Sequence, residues 1–204
     1  MNTIEISYKK KIKNWNDLIK AAKNQFIQYE KVEGIDWGKY DFSIDCAEDQ
    51  MKFKDMLQIR CIEELTEASI AFKEGEYEHF KEEISDVINF FLSAMIMIDY
   101  KLEEPILSNE DQSKLFFGYM DELDIHHYFY IIIEKIGYLC NLLKNRPWAQ
   151  SNYLVSMIDF NERCEDLYKT FWDLISSLGF SKLSILEMFE RKYEVNKWRM
   201  KTGY

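Results

Sequence analysis

The chain has 204 residues, the length of one ordinary domain, and its 47% hydrophobic and 16% aromatic content can fill a sizeable core. Only 7 Gly and 2 Pro occur, too few turn-formers for a many-stranded sandwich or barrel, for collagen or for proline-rich disorder. With 26 Lys and Arg against 36 Asp and Glu, the net charge of −10 argues against sequence-independent binding to nucleic-acid phosphates, although metal ions could still bridge acids to a small anion.

In chain order, a first helix is expected from Asn16 to Lys31, with Leu18, Ala22, Phe26 and Tyr29 at helical spacing. Glu33 to Asp45 reads as a loop with Gly34 and Gly38. A long helix is expected from Glu48 to Glu74, stopped by Gly75, and another from Tyr77 to Leu102 before Pro105. Helical patterns follow over Gln112–Leu123 and His127–Lys144; Tyr128–Ile133 has strand-like composition but lies inside the longer helical period. Gln150–Leu178 is expected to end at Gly179, and a last helix to start near Ser184, where Ser-Ile-Leu-Glu has capping-box form, and to reach Lys201. No repeat or linker interrupts this series, so residues 1–204 read as a single all-α domain, a bundle of roughly five to seven helices.

Cys46, Cys61, Cys140 and Cys164 form no CxxC pair and read as buried free thiols. The N-terminal lysines have no apolar segment behind them, so no signal peptide is expected. The longest apolar stretch, Val87–Ile98, has 12 residues with Asn89 and Ser93 inside it, too short for a membrane span. A cytoplasmic protein with no membrane or nucleic-acid partner is the expectation.

Chemistry concentrates in EELTE at Glu63–Glu67 and EISD at Glu83–Asp86. Glu64 and Glu67 share a helix face, as do Glu83 and Asp86. Glu67 precedes Gly75 by eight residues and Glu83 follows it by eight; Glu64 and Asp86 are each eleven away. Helices folding back at Gly75 would bring the pairs level at roughly 12 Å and 16 Å from the turn. Four carboxylates on one spot repel, and hard divalent cations such as Mg²⁺ are the usual remedy. A solvated acidic face is the alternative. At the far end, Lys192, Asn196 and Arg199 fall on one helix face and could clamp phosphates, or simply complement a helix C-terminus.

EExxE, a spacer and ExxD together resemble the all-α NTP pyrophosphatase superfamily, with its MazG-type enzymes and dimeric dUTPases. The ending resembles the dimeric dUTPase and phage dCTP pyrophosphatase signature K-N-x-x-N-x-x-R-Q-x-x-G-Y, with Lys192, Asn196, Arg199, Gly203 and Tyr204 in register and Tyr193 and Met200 departing from it. Gly34-Ile35-Asp36-Trp37 is similar to the family's G-L-N-W, and Asn24-x-x-Ile27-Gln28 stands where Q-x-x-L-N is expected. The resemblance implies hydrolysis of a deoxynucleoside triphosphate to the monophosphate and pyrophosphate. It implies Mg²⁺ held by Glu64, Glu67, Glu83 and Asp86, with Glu64 or Glu67 orienting or deprotonating the water. Lys192, Asn196, Arg199 and Tyr204 would bind phosphates. Asn24, Gln28, Trp37 and Asn89 would meet the base and sugar.

The resemblance also implies a homodimer. Thirteen Tyr, 14 Phe and 5 Trp are a large aromatic load, and Phe116, Phe117, Tyr119, Tyr128, Phe129 and Tyr130 are the candidate patch, unless they complete the core. His79, His126 and His127 read as surface residues. The competing functions are a MazG-like house-cleaning pyrophosphatase of other base preference and a non-enzymatic helical interaction protein.

Overall fold

A computed structural model describes residues 11–33, 42–143 and 156–202; of residues 29–33 it describes the helical backbone alone. The elements are α1 (Trp15–Glu33), α2 (Ala47–Lys54), a π-helical segment (Asp55–Cys61), α3 (Ile62–Lys73), α4 (Tyr77–Met97), α5 (Ser113–Tyr119), α6 (Glu122–Leu142), α7 (Met157–Ser177) and α8 (Lys182–Thr202). The fold is an all-α bundle. Among the described residues the one β-type contact is a bridge between Ser108 and Ser181.

α4 is the axis of the bundle. It carries apolar residues on nearly every side, so it can be stable only when surrounded. α1, α3, α8 and the π-helical segment pack around it. Phe80, Ile84, Ile88, Phe91 and Leu92 are fully buried. Phe91 stacks on Phe171 of α7 at 3.8 Å, and Trp15 of α1 meets Trp172 edge-on at 5.2 Å. Each such side chain contributes about 1.5–3 kcal/mol by leaving water.

The ends of the helices have local causes. α3 closes in a Schellman motif: Gly75 at φ +76 donates to Phe72 O, and Glu76 donates to Ala71 O. α4 closes the same way at Met97, five residues short of the expected Leu102. There Asp99 takes the left-handed position, and the Asp99 and Tyr100 amides donate to Ile96 O and Met95 O. The expected Gln112–Leu123 helix is broken at Met120. Asp121 caps α6 instead, in a reciprocal capping box with Asp124, and Tyr128–Ile133 is helical within α6. α8 starts at Lys182, two residues before Ser184, because the Ser181 hydroxyl accepts the Ser184 amide. Ser156 caps α7. The part of the expected Gln150–Leu178 helix before residue 156 lies outside the described residues.

The long expected Glu48–Glu74 helix is present as Ala47–Lys73 but holds the π-helical turn. One inserted residue rotates everything after it by about 100° relative to α2. Cys61, Cys140 and Cys164 are buried free thiols, as expected, and Cys46 is half-buried. Burial pushes Cys140 and Cys164 up to about 12, so they are unreactive.

Candidate functional site

The α3–α4 hairpin folds back at Gly75 and brings Glu64, Glu83 and Asp86 together, with one ligand oxygen from each within 4.8 Å of the others. Glu83 and Asp86 are only 7% and 8% exposed. Burial, a hydrogen bond with Glu83 and the charges of Asp86, Glu83 and Glu67 push Glu64 up to about 8. Burial likewise raises Asp86, although Lys192 opposes it. The site as it stands holds an excess of negative charge.

Lys192 of α8 offsets part of that excess: its Nζ lies 2.5 Å from Asp86 Oδ2. His79, one turn before Glu83, places Nε2 2.9 Å from Glu83 Oε1. Asp86 Oδ1 is buried with no hydrogen-bond partner. An all-oxygen donor set with a buried, unpartnered carboxylate oxygen fits a hard divalent ion.

Glu67 is exposed and lies outside this trio. Three residues advance a helix by 300°, so Glu67 is rotated about 60° from Glu64, toward solvent. It remains close enough for its charge to raise Glu64. Glu63 is also exposed, 3.8 Å from Arg60.

A cleft of about 570 Å³ opens beside the acids. Its lining mixes charged residues, among them Glu64, Asp86, Lys192 and Arg199, with apolar ones, among them Phe26, Met51, Phe90 and Met97. Charged and apolar groups in one cleft suit a ligand that carries both phosphate charge and a flat ring. Asn196 is buried and Arg199 exposed. Asn89 lines the cleft one turn beyond Asp86. Asn24 and Gln28 face solvent, away from the α1 face packed on α4. Trp37 and Tyr204, with Gly34–Asp36 and Gly203, lie outside the described residues.

Two cleft-lining cations, Lys52 and Arg60, and the amide that bonds the cleft-lining Asn89 were not singled out by the sequence. Gln25, 2% exposed, donates its Nε2–H to Asn89 Oδ1 at 2.9 Å, and its own Oε1 is buried without a partner. The signal was present: Gln25 stands seven residues after Leu18 and three after Ala22, on the inward stripe. Lys52 and Arg60 also line the cleft. Lys52 precedes the π-helical turn and Arg60 stands within it, and no periodicity announces that turn.

Among the aromatic candidates, Phe129 belongs to the core and Phe117 packs on Phe72, Tyr77 and Phe80. Phe116 and Tyr128 are half-buried. Tyr119 and Tyr130 are 81% and 63% exposed.

A family model described as dUTPase matches residues 69–204, more than half of the chain. The match takes in Glu83, Asp86, Asn89 and the α8 residues; Glu64 and Glu67 lie before it. No curated protein and no solved structure is significantly similar to the chain.

Proposed function

The chain belongs to the dUTPase family, a dUTPase-like nucleotide pyrophosphatase, and we propose that it hydrolyses dUTP, and dCTP as the runner-up, to the monophosphate and pyrophosphate with Mg²⁺. The observation that carries this reading is the convergence of Glu64, Glu83 and Asp86, with the unpartnered Asp86 Oδ1, beside a cleft lined by Lys192 and Arg199. Two of those acids are buried, which counts against a solvated acidic face and so against a non-enzymatic interaction protein.

Glu64, Glu83 and Asp86 would hold the metal, and Glu67, the fourth acid of the set, would stand at its edge and act chiefly on the water. Bound there, Mg²⁺ would neutralise phosphate charge and lower the pKa of water. Glu67 or Glu64 orients or deprotonates the attacking water. Lys192, Asn196, Arg199 and Tyr204 hold the phosphates, and Arg199 can grip two oxygens at once. The Gln25–Asn89 pair, rather than Asn24 and Gln28, reads the pyrimidine or its sugar, because buried amides discriminate where solvated ones do not. Trp37 would stack on the ring. A free Gln25 Oε1 accepts equally from N3–H of uracil and from the amino group of cytosine, which keeps dCTP, and the other base preferences of MazG-like enzymes, in the panel.

The proposal includes a homodimer in the cytoplasm; exposed Tyr119 and Tyr130 support the first, and the buried free thiols the second. The test is pyrophosphate release across the four dNTPs and dUTP, with and without Mg²⁺. Release from none of them would sink the activity. Release dominated by a purine nucleotide would move the chain to house-cleaning.

A further inference from the structure

We propose that Lys192 is the internal counter-cation of the acid site, that a divalent ion must displace its ammonium, and that nucleotide phosphates capture the ammonium so that metal and nucleotide bind cooperatively. This rests on the reading that Glu64, Glu83 and Asp86 hold a metal.

The pair is sheltered. The Lys192 and Asp86 side chains are 14% and 12% exposed, so their attraction is little screened by water or salt. A purely structural pair of this kind is expected to satisfy both carboxylate oxygens, since a buried unpaired acceptor costs stability. Here Lys192 holds Oδ2 and leaves Oδ1 buried without a partner. Asp86 is therefore half-neutralised, with one oxygen directed at Lys192 and one unused.

A doubly charged ion bound to Asp86 would stand within a few ångströms of Nζ, and like charges at that range repel strongly in a partly dry site. Lys192 has room to leave. Its side chain lines the cleft with Asn196 and Arg199, and also a smaller groove where Glu78, Glu82 and Glu187 stand with Lys81 and Arg191. A flexible four-carbon stem carrying a point charge suits such a move better than a guanidinium would. A phosphate in the cleft offers the ammonium a second anion, and release from Asp86 then favours the metal. By linkage, the metal must strengthen nucleotide binding by the same factor.

The experiment is a Mn²⁺ titration followed by electron paramagnetic resonance, on the full chain. Without nucleotide, Lys192→Met is expected to bind Mn²⁺ roughly tenfold more tightly than wild type. α,β-imido-dUTP should tighten Mn²⁺ on the wild type but much less on the variant. Unchanged or weaker Mn²⁺ binding by Lys192→Met overturns the proposal. Glu64→Gln separates the two levels: if it binds Mn²⁺ as well as wild type does, the metal reading itself fails. If it binds poorly while Lys192→Met is unchanged, only the counter-cation fails. A second measurement needs no variant. Mn²⁺ alone should raise amine labelling of wild-type Lys192, read by mass spectrometry, and the analogue should suppress it. Labelling indifferent to Mn²⁺ also overturns the proposal.

Discussion

Gln25 on α1 donates a 2.9 Å hydrogen bond to Asn89 on α4, a residue that lines the cleft, and its own Oε1 is buried without a partner. The bond fastens α1 across the central helix one turn beyond Asp86. Phe26 and Phe90 line the same cleft.

Gln25→Met should therefore act twice. Leaving Asn89 unpaired should cost about 1–3 kcal/mol of stability in a urea titration. Removing the acceptor should also lower kcat/KM for dUTP and for dCTP alike, by tenfold or more. A stability loss with unchanged kcat/KM for both would reduce the pair to a helix fastening.

The four acids should separate into two groups. Glu64→Gln, Glu83→Gln and Asp86→Asn each remove a ligand from the trio, so both Mn²⁺ affinity and turnover should fall at least a hundredfold. Glu67→Gln should lower turnover comparably while keeping most of the Mn²⁺ affinity, because Glu67 stands outside the trio. Equal loss of Mn²⁺ binding in all four would make Glu67 a full ligand.

The metal-free protein should weaken as pH rises. Folded Glu64 holds its proton up to about pH 8, against 4.5 for its ordinary value, so between these values the folded state binds more protons than the unfolded one. Stability then falls with increasing pH across that window and is greatest below it. The raised Asp86 adds the same sign. Thermal melts in EDTA from pH 5 to pH 8 should show the decline, Mg²⁺ should cancel it, and Glu64→Gln should flatten it. A melting temperature that rises across this range in EDTA would contradict the assignment.

What the sequence disclosed follows from periodicity. The equal spacing of the acids about Gly75 was enough to place Glu64 beside Asp86, because a Schellman turn and two straight helices leave little freedom. The buried amide was equally periodic, yet the resemblance directed attention to Asn24, one residue away on the solvent side. The approach of Arg60 was not legible, since a π-helical turn re-phases a helix without altering its apolar pattern in an evident way. The Lys192–Asp86 pair joins residues 106 apart and needed the tertiary fold.

Two left-handed glycines should respond differently to alanine. At Gly179, φ +79, a Cβ would come within 2.9 Å of the Gln112 carbonyl carbon and closer still to the Phe116 ring. Backbone strain and the clash together should cost about 2–4 kcal/mol. At Gly75, φ +76, nothing stands within 4 Å, so strain alone applies, about 1–2 kcal/mol. Denaturant midpoints decide it, and a costlier change at Gly75 would contradict the packing of α5 on Gly179.

Assembly is the last expectation. On α6, Leu123, Tyr130 and Tyr138 are 77%, 63% and 51% exposed, and their spacing of seven and eight residues keeps them on one face. Tyr119, 81% exposed at the end of α5, precedes this face. A twofold axis through such a face would use each aromatic twice, and a stable dimer needs about 800 Å² from each partner. Tyr130→Glu would then place two like charges in one interface. Sedimentation at micromolar concentration should give about twice the 24.6 kDa chain mass for wild type and a shift toward the single mass for Tyr130→Glu. If the partner covers part of each cleft, activity should fall in parallel with the dimer fraction. A wild-type mass of one chain with full activity would remove the dimer and leave these aromatics as ordinary surface.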